Sequence, residues 1–168
     1  MSSLAITLSM TALNIVFWTI FNFGLAFLVR CLPMRLFSYT RALYREFRFE
    51  KRLYRILRVN RWKDHLPEAG GLAGFPKRRL AGELTLPYVE KFLTETCIAE
   101  VGHLAIGVLG YCSVGFAWLL PDLHPYIPLF VGFATLNLLI QLLFVIIQRY
   151  NRPRLMRLRS MLLDQAVS

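Results

Sequence analysis

Three long apolar runs alternate with two basic segments along the chain. The runs cover residues 4–29, about 98–120 and about 126–147, and each is long enough to cross a bilayer as an α-helix. The first run lacks a preceding basic region and is longer than the apolar part of a signal peptide. The pattern predicts an all-α membrane protein with three transmembrane helices, formed as a single unit over residues 1–168.

The basic residues are confined to two blocks. The chain has 20 Lys and Arg against 10 Asp and Glu, and 15 of the 20 lie between Arg30 and Lys91 while the other 5 lie between Arg149 and Arg159. Because basic residues collect on the cytoplasmic side of a membrane, this arrangement predicts an outside N-terminus, a cytoplasmic segment 30–97 and a cytoplasmic C-terminus. It is typical of a multi-pass protein of the cell membrane and not of a nucleic-acid-binding protein.

Arginines recur every three or four residues between Arg35 and Arg58, opposite an apolar row. This spacing predicts a basic amphipathic helix on the membrane surface, followed by a cytoplasmic loop. Its arginines would bind anionic lipid headgroups or, alternatively, an anionic substrate such as a coenzyme A phosphate. Glu46 and Glu50 lie beside the apolar row, so they either point inward or mark a break.

Prolines and glycines predict where the other helices begin and end. Thr85 and Pro87 favour a short helix over residues 86–93, before the second span. Pro153 disfavours helix at Arg152, so the third span should break as it leaves the bilayer, with a separate surface helix after it.

Polar residues form rows within the apolar runs. The rows consist of Asn14, Trp18 and Asn22 in the first run, and of Asn137, Gln141 and Gln148 in the third. Such amides either join helices by hydrogen bonds or line a pocket.

Glu100 and His103 stand at the start of the second run, three residues apart on one helix face. No other charged side chain follows before Asp122. Ionisable groups in a membrane-length segment are costly, which indicates a functional site. A buried hydrogen bond between helices is the structural alternative. The three cysteines, Cys31, Cys97 and Cys112, have no metal-ligand spacing and are expected to be reduced thiols.

Three stretches resemble a known family of enzymes. They are Phe49-Glu50-Lys51 with Arg61-Trp62-Lys63 and Leu66, Glu95-Thr96 with Ala99-Glu100 and His103, and the run from Gln148 to Leu155. Together they are similar to the glycosyl-4,4'-diaponeurosporenoate acyltransferases, small membrane enzymes of staphyloxanthin synthesis. The resemblance implies transfer of a fatty acyl group to a hydroxyl of a lipid or glycolipid acceptor. From these motifs and the polar residues near them, the candidate catalytic residues are His103 and Glu100. The candidate substrate-binding residues are Trp62, Lys63, Asp64, Glu95, Gln141, Gln148, Arg149, Asn151, Arg152 and Arg154.

Acyl transfer to a hydroxyl needs a base and a stabilised oxyanion. His103 suits the base, because imidazole ordinarily titrates at about pH 6.5, and Glu100 could fix its tautomer. Arg152 and Arg154 could clamp the donor's phosphates or stabilise the oxyanion. Because no Ser or Cys is placed as a nucleophile, we expect direct attack on acyl-CoA or acyl-carrier protein, without a cofactor or metal.

Two other functions are compatible with the sequence. The first is a non-enzymatic membrane scaffold or assembly factor, whose basic helix binds anionic lipid. The second is a metal site formed by Glu95, Glu100 and His103 with Asp64 or His65, although no characteristic metal motif is present.

Overall fold

The computed structural model describes residues 3–66, 85–119 and 121–167, and the regular structure within these ranges is entirely helical. Its α-helices are α1 (Ser3–Arg30), α2 (Arg48–Ile56), α3 (Val59–Trp62), α4 (Leu86–Leu109), α5 (Cys112–Leu119) and α6 (Ile127–Val167). Short 3₁₀ segments occur at Met34–Phe37, Ala42–Tyr44, Lys63–His65 and Pro121–Tyr126. The all-α prediction is confirmed for these ranges. The glycine-rich part of the loop predicted to be cytoplasmic, residues 69–75, lies outside them.

Two stretches of the described chain, Leu86–Gly115 and Pro121–Ala166, are long and apolar enough to cross a membrane. In the most apolar window of the second stretch only 17% of the residues are buried, so most of its apolar side chains face outward. In the core helix of a soluble protein, most apolar side chains would be buried instead. The helices therefore indicate a membrane-associated protein. α1 has 28 residues, but its described apolar part, Asn14–Arg30, is shorter than the other two stretches.

The second predicted span has different boundaries in the structure. The short helix predicted over residues 86–93 begins where expected but does not end there, because α4 runs without a break from Leu86 to Leu109. A turn then separates α4 from α5. The carbonyl of Gly110 accepts hydrogen bonds from the Ser113 backbone N–H at 3.1 Å and from the Ser113 hydroxyl at 2.8 Å. These local bonds replace the regular helical pattern and interrupt the run of residues 98–120.

The predicted break at Pro153 is also wrong. α6 continues through Pro153 to Val167, so Arg157 and Arg159 lie on the same helix as the third apolar run. Proline removes one helical hydrogen bond and costs about 3 kcal/mol in a helix interior. Buried side chains on both sides of Pro153, Arg152 and Leu155, hold the helix in place and offset this cost.

The basic segment is not one amphipathic helix over residues 35–58. It contains two 3₁₀ turns, and α2 begins only at Arg48. The backbone between them is extended at Ser38, Arg45 and Phe47. Carbonyl groups at positions 43–45 accept hydrogen bonds from arginine side chains of α6. Because these carbonyls are bound by side chains, this part of the chain does not form the helix that its arginine spacing predicts.

The chain divides into two compact units, and α4 and α6 contribute to both. Unit 1 comprises Met1–Leu32 and Val101–Leu142, and unit 2 comprises Pro33–Glu100 and Leu143–Ser168. Unit 1 exposes many large apolar side chains while its Gln141 and Ser113 are buried, as expected for a surface in contact with lipid. Unit 2 has an apolar core formed by Val89, Phe92, Leu93 and Leu155.

Candidate active site

His103 belongs to a cluster of polar side chains in unit 1. Its Nδ1 lies 2.7 Å from Oε1 of Gln141. Nε2 of Gln141 donates to Oδ1 of Asn137 at 3.3 Å and to Oδ1 of Asn22 at 3.4 Å. These four side chains, called the amide cluster below, come from α1, α4 and α6. Asn22 of the first predicted polar row therefore meets Asn137 and Gln141 of the row in the third run, and Gln141 joins them to His103.

Gly107 on α4 and Gly110 just after its end allow α6 to approach closely at the amide cluster. A Cβ at Gly107 would lie 3.3 Å from Cβ of Gln141 and 2.9 Å from a methyl carbon of Leu138. A Cβ at Gly110 would lie only 2.8 Å from Nδ2 of Asn137. Larger residues at either position would push the helices apart, which explains two of the glycines in this run.

An open groove borders the amide cluster. It has a volume of about 220 Å³ and is lined by Trp18, Asn22, Phe133, Leu136, Asn137 and Ile140. The groove is mostly apolar, and its two polar residues, Asn22 and Asn137, are members of the amide cluster. This combination suits a ligand with an apolar body and a polar group.

Glu100 has different partners, in unit 2. Its Oε1 accepts from Nη1 of Arg149 at 2.5 Å, and its Oε2 accepts from Nη2 of Arg152 at 2.6 Å. Nε of Arg149 also donates to Oε1 of Glu50 at 2.6 Å. The side chains of Glu50, Glu100 and Arg152 are at most 6% exposed, and that of Arg149 is 13% exposed. We call these four residues the ion clamp, in which two carboxylates balance two guanidinium groups.

The ion clamp also holds the irregular segment before α2. Arg149 donates to the carbonyl groups of Leu43 and Arg45 at 3.2 and 2.9 Å, and Arg152 donates to that of Tyr44 at 3.1 Å. Arg152 further donates to the buried hydroxyl of Thr96 at 3.0 Å. Charge-assisted hydrogen bonds of this kind are strong and directional. The arginines of the clamp therefore position the backbone of residues 43–45.

Two tyrosines beside the clamp have altered acidity. Burial raises the pKa of the Tyr54 phenol well above its usual range, and its hydrogen bond to Oε2 of Glu50, 2.9 Å long, raises the pKa further. Burial likewise raises the pKa of the Tyr44 phenol, with smaller contributions from Cys97 and Glu100. Both phenols are therefore protonated at neutral pH and act as hydrogen-bond donors.

The other predicted site residues of unit 2 lie in several places. Nε1 of Trp62 donates to the carbonyl of Leu57 at 2.8 Å, and Nζ of Lys63 pairs with Asp64 at 2.5 Å. Arg154 is exposed, donates to the hydroxyl of Tyr150 and stacks on its ring. Gln148 is buried, while Glu95 and Asn151 are half-buried.

The structure thus brings some of the predicted residues together and separates others. It joins His103 with Gln141 in unit 1, and Glu100 with Arg149 and Arg152 in unit 2. Glu100 and His103 are three residues apart on α4, as predicted. The partners that the structure gives to Glu100 are arginines, and the partner that it gives to Nδ1 of His103 is an amide.

Some residues of the two clusters were not among the predicted site residues. Glu50 gave a signal, because it is an acidic residue beside an apolar row in a basic segment, and the structure shows that it points inward. Asn22 and Asn137 gave a periodic polar row. Thr96 stood out only as part of the Glu95-Thr96 stretch that resembles the family, and Tyr44 gave no signal, since tyrosine is common at membrane interfaces.

Within residues 3–66, 85–119 and 121–167 no group of three His, Cys, Asp or Glu side chains is placed to hold a metal ion. The three cysteines form no disulfide, and Cys97 is buried whereas Cys31 and Cys112 are exposed.

The helices and the two polar clusters define a small, all-helical membrane-associated protein with buried ionisable groups. Residues 33–161 match the sequence profile of the glycosyl-4,4'-diaponeurosporenoate acyltransferases, and the chain belongs to that family. The matched region includes both candidate catalytic residues and all ten candidate substrate-binding residues. Membership implies an acyltransferase of carotenoid biosynthesis. No curated protein and no solved structure matches the chain.

Proposed function

We propose that this protein is a three-span membrane acyltransferase that moves a fatty acyl group from a thioester donor to a hydroxyl of a lipid or glycolipid acceptor. The observation that carries the proposal is the family match over residues 33–161, which includes a histidine held in a polar cluster of the apolar helices. In this proposal His103 is the general base. The family's description makes a glycosylated carotenoid a plausible acceptor.

The proposed reaction is one direct displacement. His103 takes the proton of the acceptor hydroxyl, and the hydroxyl oxygen attacks the carbonyl carbon of the donor. The new C–O bond forms, the C–S bond of the thioester breaks, and the thiolate leaving group receives the proton from the imidazolium. Proton transfer by a positioned side chain contributes typically about 10²–10⁴-fold to the rate.

The groove beside the amide cluster is the proposed site of the acceptor. Its apolar lining, including Phe133 and Leu136, would contact the hydrocarbon part of the acceptor. Asn22 and Asn137 would receive the sugar or hydroxyl end. The groove is open, which suits an acceptor that enters sideways from the lipid phase.

The arginines are proposed to have two separate roles. Arg149 and Arg152 are paired with carboxylates in the ion clamp, so their role in this proposal is to position the segment at residues 43–45. Arg154 is exposed, as are Arg41, Arg45 and Arg52. These exposed cations are the proposed contacts for the phosphates of acyl-CoA or of an acyl-carrier protein.

The proposed topology has the N-terminus outside the cell membrane and the C-terminus in the cytoplasm, with residues 30–97 cytoplasmic. The absence of basic residues from 1–29 and 92–148 supports this orientation. A cytoplasmic location for the exposed arginines also suits a donor that is made in the cytoplasm.

A second candidate is a scaffold without enzymatic activity that binds anionic lipid. The exposed arginines at positions 41, 45, 48, 52 and 55 favour it, because a basic surface attracts anionic headgroups whether or not chemistry follows.

Lipid extracts distinguish the two candidates. Extracts from cells with the gene, without it and with the gene restored are compared by mass spectrometry. The acyltransferase proposal predicts that deletion removes one acylated lipid, that its unacylated precursor accumulates, and that restoration reverses both changes. Unchanged acylation in the deletion strain would favour the scaffold.

A further inference from the structure

Two backbone carbonyls fix the orientation of two amides in unit 1. Nδ2 of Asn137 donates to the carbonyl of Ile106 at 3.2 Å, and Nδ2 of Asn22 donates to the carbonyl of Trp18 at 2.6 Å. A peptide carbonyl only accepts hydrogen bonds, so each asparagine must present its nitrogen to it. The Oδ1 atoms of Asn137 and Asn22 consequently point elsewhere.

Both of these oxygens lie within hydrogen-bonding distance of Gln141. Its Nε2 donates its two hydrogens to Oδ1 of Asn137 and to Oδ1 of Asn22. If the amide of Gln141 were reversed, its oxygen would face two other oxygens and both hydrogen bonds would be lost. Because Gln141 is buried, water cannot readily replace them. The position of Oε1 of Gln141 is therefore determined.

The fixed oxygen faces His103. Oε1 of Gln141 lies 2.7 Å from Nδ1 of His103, and an amide oxygen can only accept. Nδ1 must carry the hydrogen. We infer that Asn22, Asn137 and Gln141 together hold neutral His103 in the Nδ1–H tautomer, which makes Nε2 the basic atom of the ring.

This inference deepens the proposed function and rests on it for its catalytic meaning. A general base must keep its lone pair on the atom that meets the acceptor proton, and the hydrogen bond of the other nitrogen sets which atom that is. Gln141 and Asn137 are thus positioning residues that act through His103. The sequence suggested that Glu100 sets the tautomer of His103, whereas the amide cluster assigns this role to Gln141.

A second histidine, His124, is expected to have the opposite tautomer and serves as an internal reference. Nε2 of His124 lies 2.8 Å from the carbonyl of Trp118. Since that carbonyl also only accepts, neutral His124 must carry its hydrogen on Nε2. The two histidines should therefore show opposite assignments in one sample.

Nitrogen NMR of histidine-labelled full-length protein tests the inference without requiring activity. The protein is held in detergent micelles at a pH where the rings are neutral, and His103→Gln and His124→Gln variants assign the signals. We expect the Nδ1 of His103 to show the shift of a protonated nitrogen and its Nε2 that of an unprotonated one. His124 should show the reverse.

Gln141→Met removes the acceptor and keeps the length of the side chain. It should convert the His103 signals to a mixture of tautomers and lower kcat in proportion to the population that has its hydrogen on the reacting nitrogen, about twofold for an equal mixture. The double variant Asn22→Leu with Asn137→Leu, which keeps Gln141 but removes its anchors, should also produce the mixture. Thr135→Val is the control, because Thr135 of α6 bonds Tyr111 in the turn after α4, outside the amide cluster, and its loss should leave the His103 signals unchanged.

The outcomes separate this inference from the proposed function. A protonated Nε2 with an unprotonated Nδ1 in wild-type His103, or unchanged His103 signals in folded Gln141→Met, would overturn the inference. If the signals change as expected but His103→Ala retains acyl transfer, the tautomer assignment stands and the proposed function fails.

Discussion

Glu100 and Arg152 form a buried ion pair in unit 2, with Oε2 of Glu100 2.6 Å from Nη2 of Arg152 and neither side chain more than 4% exposed. Glu100 also pairs with Arg149 through its other oxygen. Breaking a buried pair by removing one charge leaves the partner uncompensated, and this typically costs about 3–5 kcal/mol. Loss of either charge should therefore lower the free energy of unfolding strongly.

The first prediction is that Glu100→Gln destabilises the protein by about 3–5 kcal/mol, measured by denaturant unfolding in detergent micelles. Glu46→Gln is the matched control. Glu46 pairs with the exposed Lys51 at 3.7 Å, so its loss should cost less than about 1 kcal/mol. Normal stability of Glu100→Gln together with lost acyl transfer would assign Glu100 to the chemistry and not to the ion clamp.

The second prediction concerns helix packing in unit 1. Gly110→Ala places a Cβ 2.8 Å from Nδ2 of Asn137 and 3.1 Å from the carbonyl of Ile106, so it should cost about 1–3 kcal/mol by overpacking. Gly132→Ala on α6 meets no atom within 4 Å and should be neutral or stabilising by up to about 1 kcal/mol. Thermal unfolding of both variants checks this contrast, and equal melting temperatures would argue against the close approach of α4 and α6.

The third prediction concerns orientation in the membrane. In a background without the native cysteines, Ser2→Cys should react with an impermeant thiol reagent added to intact cells, while Ser168→Cys should react only after lysis. We expect this result because basic residues collect on the cytoplasmic side of a membrane, and the two basic blocks place the C-terminus on that side. Labelling of Ser168→Cys alone in intact cells would reverse the proposed topology.

The fourth prediction is that the exposed arginines bind anionic lipid electrostatically. Reversal of Arg41, Arg45 and Arg52 to Glu should reduce the number of anionic phospholipids retained in native mass spectrometry, and the difference should shrink at high salt, where charges are screened beyond about 3 Å at 1 M. Retention of zwitterionic phospholipid is the control. An equal loss of both lipids would contradict the electrostatic explanation.

The sequence predicted features that depend on local pattern and missed those that depend on distant partners. The spacing of Asn137 and Gln141 placed both on one helix face, and the hydropathy of the chain located the apolar helices. The irregular backbone before α2 could not be predicted, because the arginines that bind its carbonyls, Arg149 and Arg152, lie about 100 residues further along the chain. Local propensity is a weak guide where such tertiary contacts compete with it.

Pro153 and Glu100 illustrate the same limit. A proline next to an arginine normally indicates a helix end, yet the buried contacts of Arg152 and Leu155 keep α6 continuous. Glu100 lies one helical turn from His103, a spacing that predicts an interaction between them. Its two arginine partners come from the far end of the chain, and no local pattern indicates them.

The central claim is that His103 is the base of an acyl transfer, and one measurement tests it most directly. Purified wild-type protein and His103→Ala are supplied with acyl-CoA and lipid acceptors, and the acylated product is quantified by mass spectrometry. His124→Ala is the control, because His124 is exposed and bonds only a neighbouring carbonyl in the described structure. We predict that His103→Ala lowers the rate about 10²–10⁴-fold while the protein stays folded, with only the fall in stability of about 1–3 kcal/mol that one lost buried hydrogen bond implies, whereas His124→Ala retains activity. Full activity of folded His103→Ala would contradict the account.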